Sequence, residues 1–159
     1  MQKPSDELIF DRTKSDTDRV KALTQKMAQG TAGEAEREEW FDNPKGACNA
    51  ADLNRIEQWT AYLAEVLQGY GYGVTVHTRT WAMADFPTRS EIDRIRHNVD
   101  ALQEGFYSLP DWREIVYNNT LDFGQANALE WDLQRLYVWL ERMAGAFVYA
   151  GEVYAGEWA

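Results

Sequence analysis

One cysteine, two histidines and four prolines are all that this 159-residue sequence holds of those three residue types. Cys48 cannot close an internal disulfide by itself. His77 and His97, far apart and without a cysteine pair or a His-x-x-x-His helix spacing, give no metal-ligand pattern. Cationic charge is scarce as well: Lys plus Arg number 16 against 26 Asp plus Glu, a net charge of −10. The chain therefore lacks the positive field and the basic stripe that DNA or RNA phosphates demand, and an anionic membrane surface is disfavoured for the same reason. Long apolar runs are missing too. Met1 to Phe10 carries one Lys and no hydrophobic core, so neither a signal peptide nor a transit peptide is expected, and no later stretch approaches a membrane span. The glycine-rich segment Gly69-Tyr70-Gly71-Tyr72-Gly73 lacks a following Lys-Ser or Lys-Thr, so it is no phosphate loop, and no cofactor is expected.

What is present is bulk. Apolar residues make up 45% of the chain and aromatic residues 13%, with seven Trp, which is too hydrophobic for a disordered polypeptide. The length suits one domain spanning 1–159, made in a cytosol, with 1–12 expected to be flexible and 147–159 set apart as a possible interaction tail.

A repeated helix start organises the chain. Thr13, Asn49, Thr88 and Asp122 are all residue types that cap a helix, the side-chain oxygen accepting from an otherwise unpaired backbone N–H. Three residues after each come Asp16, Asp52, Glu91 and Gln125, able to reach back to the cap residue's own N–H. Seven and fourteen residues after the caps come Val20, Ile56, Ile95, Leu129 and then Met27, Leu63, Leu102, Leu136, which fall on one face after each two turns. Four main helices are thus predicted at about 14–29, 50–68, 89–107 and 123–148, forming one bundle. Arg19, Arg55 and Arg94 follow the acids of the first three units by three residues, which predicts ion pairs within each helix. The position five after each cap, Asp18, Asn54, Asp93 and Asn127, has two readings. Either it makes a shared hydrogen bond to backbone in a neighbouring loop, or it reflects the preference of a first turn for small acidic and amide side chains.

All four prolines, Pro4, Pro44, Pro87 and Pro110, fall outside these helices, as the ~3 kcal/mol cost of an interior proline requires. Thr31 and Glu34 predict a further capping box opening a short helix over Ala32 to Phe41. Val74 to Thr80 is β-branched at most positions and reads as a strand. The doubled Tyr149-Ala150-Gly151-Glu152 and Tyr154-Ala155-Gly156-Glu157 suggest extended tail segments, so the fold class expected is mainly α with a small two-stranded β-ribbon made by 74–80 and the tail.

The stretches Lys45-Gly46-Ala47-Cys48-Asn49, Asp52-Leu53-Asn54-Arg55-Ile56-Glu57, Tyr62-Leu63-Ala64-Glu65, Trp81 through Thr88, Gln125-Ala126-Asn127-Ala128-Leu129-Glu130 and the doubled Gly-Glu tail carry a resemblance. In their order they are similar to a family of small proteins encoded in phages and prophages of Gram-positive, often gut-dwelling, bacteria. Cys48 departs from it, standing where that family favours an aromatic residue. The resemblance implies a place near tail or fibre genes, hence a virion or tail-accessory protein found in the host cytoplasm during assembly and then in the particle. It brings no catalytic residues with it.

The leading expectation is therefore a non-enzymatic module acting on other tail proteins or on a second copy of itself. Tyr149, Glu152, Tyr154, Glu157 and Trp158 are the expected interaction residues, because a packed core has least claim on them. A glycan-binding module using exposed aromatics such as Trp112 and Trp158 is the alternative. Third comes a cell-wall hydrolase, for which Glu57, Glu104, Glu130 and Asp132 are the helix-borne carboxylates. Trp59, Trp131 and Trp139 are expected in the core, and Trp40, Trp81 and Trp112 over the bundle's ends. Cys48 is read as a small buried residue, or else as a thiol activated by the helix start beside it.

Overall fold

The computed structural model describes the backbone of residues 1–157 and the side chains of residues 1–147. Five helices follow in order: α1 (Lys14–Gln29), α2 (Glu34–Phe41), α3 (Ala50–Gly69), α4 (Arg89–Gly105) and α5 (Phe123–Glu157). The starts lie where cap chemistry puts them. Thr13, Asn49 and Thr88 each accept from the backbone N–H three residues on, and Asp16, Asp52 and Glu91 accept in return from the cap N–H. Asp122 caps α5 with its Oδ1 accepting from Gln125 N–H at 2.8 Å, but the Gln125 amide, expected to reach back to the cap, turns instead to Arg96 and to Asn118 at 3.0 Å.

The short helix departs from expectation by two residues. Gly33 is its cap, with Glu36 accepting from the Gly33 N–H at 3.1 Å, while the Thr31 hydroxyl turns back to the Lys26 carbonyl. Gly30, at φ 68°, closes α1 in the left-handed conformation and spends Thr31 on that turn instead of on the next helix.

Three helices, not four, share the core. α3 packs on both α4 and α5, α4 packs on α5, and α1 packs on α2. Ile56, Leu63, Ile95, Leu102, Leu129 and Leu136 from the last three repeat units are all buried in one cluster. Val20 and Met27 of the first unit are only half-buried, and the α1–α2 hairpin is joined by Arg19–Glu39 and Lys26–Glu36 ion pairs. The first capping unit thus begins a helix of a side hairpin. Its apolar stripe is narrow and its charges are dense, so it has too little to bury against the main core. That hairpin's position is fixed at Gly46, where a Cβ would lie 2.3 Å from the Asp16 backbone.

The expected β-ribbon is not found: among the described residues there is no strand. Residues 74–81 form an irregular connector, and helix side chains serve its backbone in place of a second strand. Asn98 accepts from His77 N–H at 3.0 Å and donates to its carbonyl at 2.8 Å. Asn54 treats Trp81 the same way at 2.7 and 2.9 Å, and Gln68 donates to the Val74 carbonyl at 2.6 Å. A carboxamide offers the same donor and acceptor as a peptide unit, so no sheet partner is required. The other proposed strand, 147–157, continues α5. Extending a helix already formed needs no new nucleus, and the stretch carries on from α5 without a break in spite of Gly151 and Gly156.

The lead-in 1–12, expected to be flexible, is pinned from Asp6 onward. Leu8 is buried in the core, Trp59 Nε1–H donates to the Asp6 carbonyl at 2.8 Å, and Asn127 clasps Arg12 through its N–H (3.0 Å) and carbonyl (2.8 Å).

Candidate functional site

Along α5 the apolar residues follow a four-three spacing: Ala126, Leu129, Leu133, Leu136, Leu140, Met143, Phe147. Through Leu140 every one is buried. Helix α5 has 35 residues where α3 has 20 and α4 has 17, so it is roughly 50 Å long against about 30 and 25 Å. Past Leu140 the stripe loses its cover. Met143 is half-buried against the core, and Phe147 is 61% exposed, its ring stacked on that of Tyr70, just past α3, with centroids 6.2 Å apart. The sequence continues the spacing with Ala150 and Tyr154. Of the expected interaction residues, Tyr149, Glu152, Tyr154 and Glu157 lie on the helical backbone of this end with side chains outside the described set, and Trp158 lies outside the described residues entirely.

A second apolar surface sits at the other end of α3. Trp40, Phe41, Ala50, Asn54, Trp81 and Met83 line a cleft of about 430 Å³. Phe41 (70%), Met83 (92%) and the nearby-in-sequence Phe86 (88%) are among the most exposed large apolar side chains of the molecule. Nothing in the sequence marks these three as a set, since they come from a helix end and a connector.

The carboxylates weighed for catalysis are mostly committed to structure. Glu130 is fully buried and accepts from Arg12 at 2.7 Å, from Arg55 at 2.8 and 2.9 Å, and from Ile9 N–H at 2.6 Å. Asp52 joins this group, bonded to both arginines, so two cations meet two anions. Burial opposes the Arg55 charge, yet its bonds to Glu130 and Asp52 raise its pKa overall. Glu57 accepts from Trp81 Nε1–H at 3.1 Å and from Arg94. Glu104 is exposed. Asp132 is the exception: fully buried, it accepts only from Arg113 N–H at 2.8 Å, its other oxygen has no partner, and burial pushes it up to about 8.

The helix-internal ion pairs expected of the repeat form once, at Asp52–Arg55. Arg19 reaches Glu39 and Arg94 reaches Glu57, because a long guanidinium side chain finds a partner on the next helix as easily as on its own. The two readings of the fifth position divide by residue type. Asn54 and Asn127 bond connector backbone, whereas Asp18 and Asp93 pair with nearby cations on their own helices.

Trp59 and Trp81 are buried, and Trp112 and Trp139 pack half-buried against the core. Trp40 is half-buried, and half-buried Trp131 is flanked by Phe10 at 5.4 Å and Arg113 at 4.2 Å. Cys48 is not the buried filler expected: the residue is exposed, though crowding of its sulfur, with Asp52 nearby, pushes the thiol up to about 11, against a reactive thiolate. His97 Nδ1 lies 3.1 Å from the Tyr117 hydroxyl, and the His77 backbone is held by Asn98. Among the described residues no group of three or more His, Cys, Asp or Glu is placed to hold a metal ion, and no helix is long and apolar enough to cross a membrane. Comparison with family models, with characterised proteins and with solved structures found no match.

Proposed function

We propose that the chain is a non-enzymatic structural or accessory module of a phage tail, acting through protein–protein contacts made by the carboxy-terminal end of α5. The resemblance to phage and prophage proteins supplies the setting. One observation carries the contact: the apolar stripe of α5 runs on past Leu140, where the bundle stops covering it, to an exposed Phe147. A helix whose apolar face reaches the surface, as this one does at Phe147, gains by laying that face on another protein, either a neighbouring tail component or a second copy. The protein is assembled in the host cytoplasm and carried into the particle.

The test removes the end of the helix. A chain cut after Val148 is expected to keep the melting temperature of the full chain within a few degrees while losing oligomerisation and incorporation into particles, measured by analytical ultracentrifugation and by mass spectrometry of purified virions. Unchanged assembly of the shortened chain would overturn the role of this segment. Absence of the intact polypeptide from particles would overturn its place in the virion.

A further inference from the structure

We propose that Trp59, Tyr62 and Tyr137 form an aromatic cage for an alkylammonium group, filled in this structure by the chain's own Lys3 and open to an external quaternary ammonium. The Lys3 ammonium sits 4.4 Å from the centre of the Tyr137 ring and 5.7 Å from that of Trp59, and it donates to the Tyr137 hydroxyl at 3.0 Å. Trp59 stands between two tyrosines: Tyr137 at 5.3 Å and 71°, Tyr62 at 5.9 Å and 87°. Rings set nearly at right angles make a concave corner whose faces carry negative potential, the arrangement that attracts a cation through its electron clouds. The Tyr137 bond, together with Glu141 and Tyr62, raises the pKa of Lys3, so the corner favours a positive charge over a neutral amine.

The occupant is held by exposed contacts. Lys3 itself is exposed, and before it the Met1 amino group pairs with half-exposed Glu65, a surface ion pair of the kind worth about 0–1 kcal/mol. The buried anchors lie further on, at Asp6 by the Trp59 indole and at Leu8 in the core. Residues 1–5 can therefore leave the corner, once the Met1–Glu65 pair opens, without releasing those anchors. Beside it lies a cleft of about 540 Å³ lined by Lys3, Ser5, Glu7, Phe10, Trp59 and Gln134, among others, large enough for the body of a small ligand. Trp59 is only 3% exposed, so its ring depends on the arm and its neighbours for cover, and withdrawal of Lys3 would bare a ready-made site. A trimethylated ammonium spreads its charge over methyl groups and sheds water more cheaply than a primary ammonium. It is the chemistry best matched to such a corner, whether presented by a small molecule such as choline or by a methylated lysine of another protein.

The experiment uses the full chain and its Lys3→Ala variant, with choline as the probe and 3,3-dimethylbutan-1-ol as the neutral carbon isostere. Binding is followed by the NMR shift of the Trp59 indole N–H. Choline is expected to shift that resonance, with an apparent affinity about five- to tenfold tighter for Lys3→Ala, because an intramolecular competitor at roughly millimolar effective concentration has been removed. The isostere is expected to bind at least tenfold more weakly. Tyr137→Leu should abolish the choline response, with Tyr62→Leu as the second variant where circular dichroism shows the first to be unfolded. Equal response to choline and its isostere, no tightening in Lys3→Ala, or no shift in either protein would each overturn the proposal. A trimethyllysine peptide titrated in parallel separates the two sources of the ligand: tighter binding than choline assigns the site to a protein partner, and equal or weaker binding assigns it to a small molecule.

Discussion

Glu130 and Asp132 are two residues apart on α5, both shut off from solvent, and treated in opposite ways by the fold. Positions two apart on a helix point about 200° from each other, so these carboxylates open onto different flanks. On the Glu130 flank the arm and α3 deliver Arg12 and Arg55, and the Ile9 N–H completes the set. On the Asp132 flank the connector after α4 delivers one backbone N–H, from Arg113. The first flank keeps its charge by pairing it, and the second suppresses its charge by holding a proton, with Asp132 pushed up to about 8 by burial. Burial alone therefore says little about what a carboxylate contributes here; its partners decide.

The difference is broken most severely from the Glu130 side. Glu130→Ala leaves Arg12 and Arg55 facing each other with only Asp52 between them, and Arg12 is itself 4% exposed. An orphaned buried charge costs about 3–5 kcal/mol, a large part of the roughly 5–15 kcal/mol typical of a domain. Urea unfolding should show that loss, together with faster amide exchange at Ile9 as the arm lifts away. A change under 1 kcal/mol would mean that the arm is held by Leu8 and the Asn127 clasp, and that the charge cluster adds little.

Asp132→Asn is expected to work in the other direction, and only above acidic pH. The folded pKa of about 8 lies above the ordinary value of 3.8, so between those limits the native chain keeps a proton that the unfolded chain has released. Stability contributed at this site is fully present below about pH 4, declines as pH rises, and levels off beyond about pH 8. An amide in place of the acid keeps the acceptor for Arg113 N–H and does not titrate. The variant should thus match the parent near pH 4 and exceed it by about 1–3 kcal/mol at pH 8, the scale of one buried unsatisfied polar group. Paired urea midpoints at the two pH values check this, and a gap that shrinks with rising pH would reverse the assignment.

Little of this contrast was legible beforehand, and the reason is where hydrogen-bond partners come from. Cap chemistry is local: Thr13, Asn49, Thr88 and Asp122 find their donors within three residues, so four helix starts can be read from spacing alone. The fifth position after the cap is tertiary, and one amide type resolves it. Asn54 and Asn127 each present a donor and an acceptor to a passing backbone, which Asp18 and Asp93 cannot do. Asn98, which no repeat position marks, performs the same service for His77 and removes the need for a strand partner at 74–80. The candidate contact at the end of α5 was half legible. Its residues stood out as surplus aromatics, but the five-residue tail repeat obscured the four-three spacing that carries the helix through them. The corner around Lys3 was not legible at all, because its rings come from α3 and α5 and its cation from the arm.

The smallest expected effect separates local from tertiary control most cleanly. Thr31 and Thr88 have the same sequence credentials as caps, each followed three residues later by Glu. Thr88 follows Pro87, has extended backbone at φ −76° and ψ 163°, and accepts from the Glu91 N–H while its own N–H donates to Glu91 at 3.0 Å. Removing its hydroxyl strands a first-turn donor that water can partly satisfy, so Thr88→Ala should cost about 1 kcal/mol. Thr31 is drawn into the end of α1 by the left-handed Gly30, its N–H donating to the Lys26 carbonyl at 2.9 Å, and the cap of α2 passes to Gly33. An exposed hydroxyl with one long bond contributes little, so Thr31→Ala should fall within about 0.5 kcal/mol of the parent. Thermal melts of both variants decide it: equal losses would mean that α2 begins at Thr31 after all, and that the Gly30 turn does not redirect the chain.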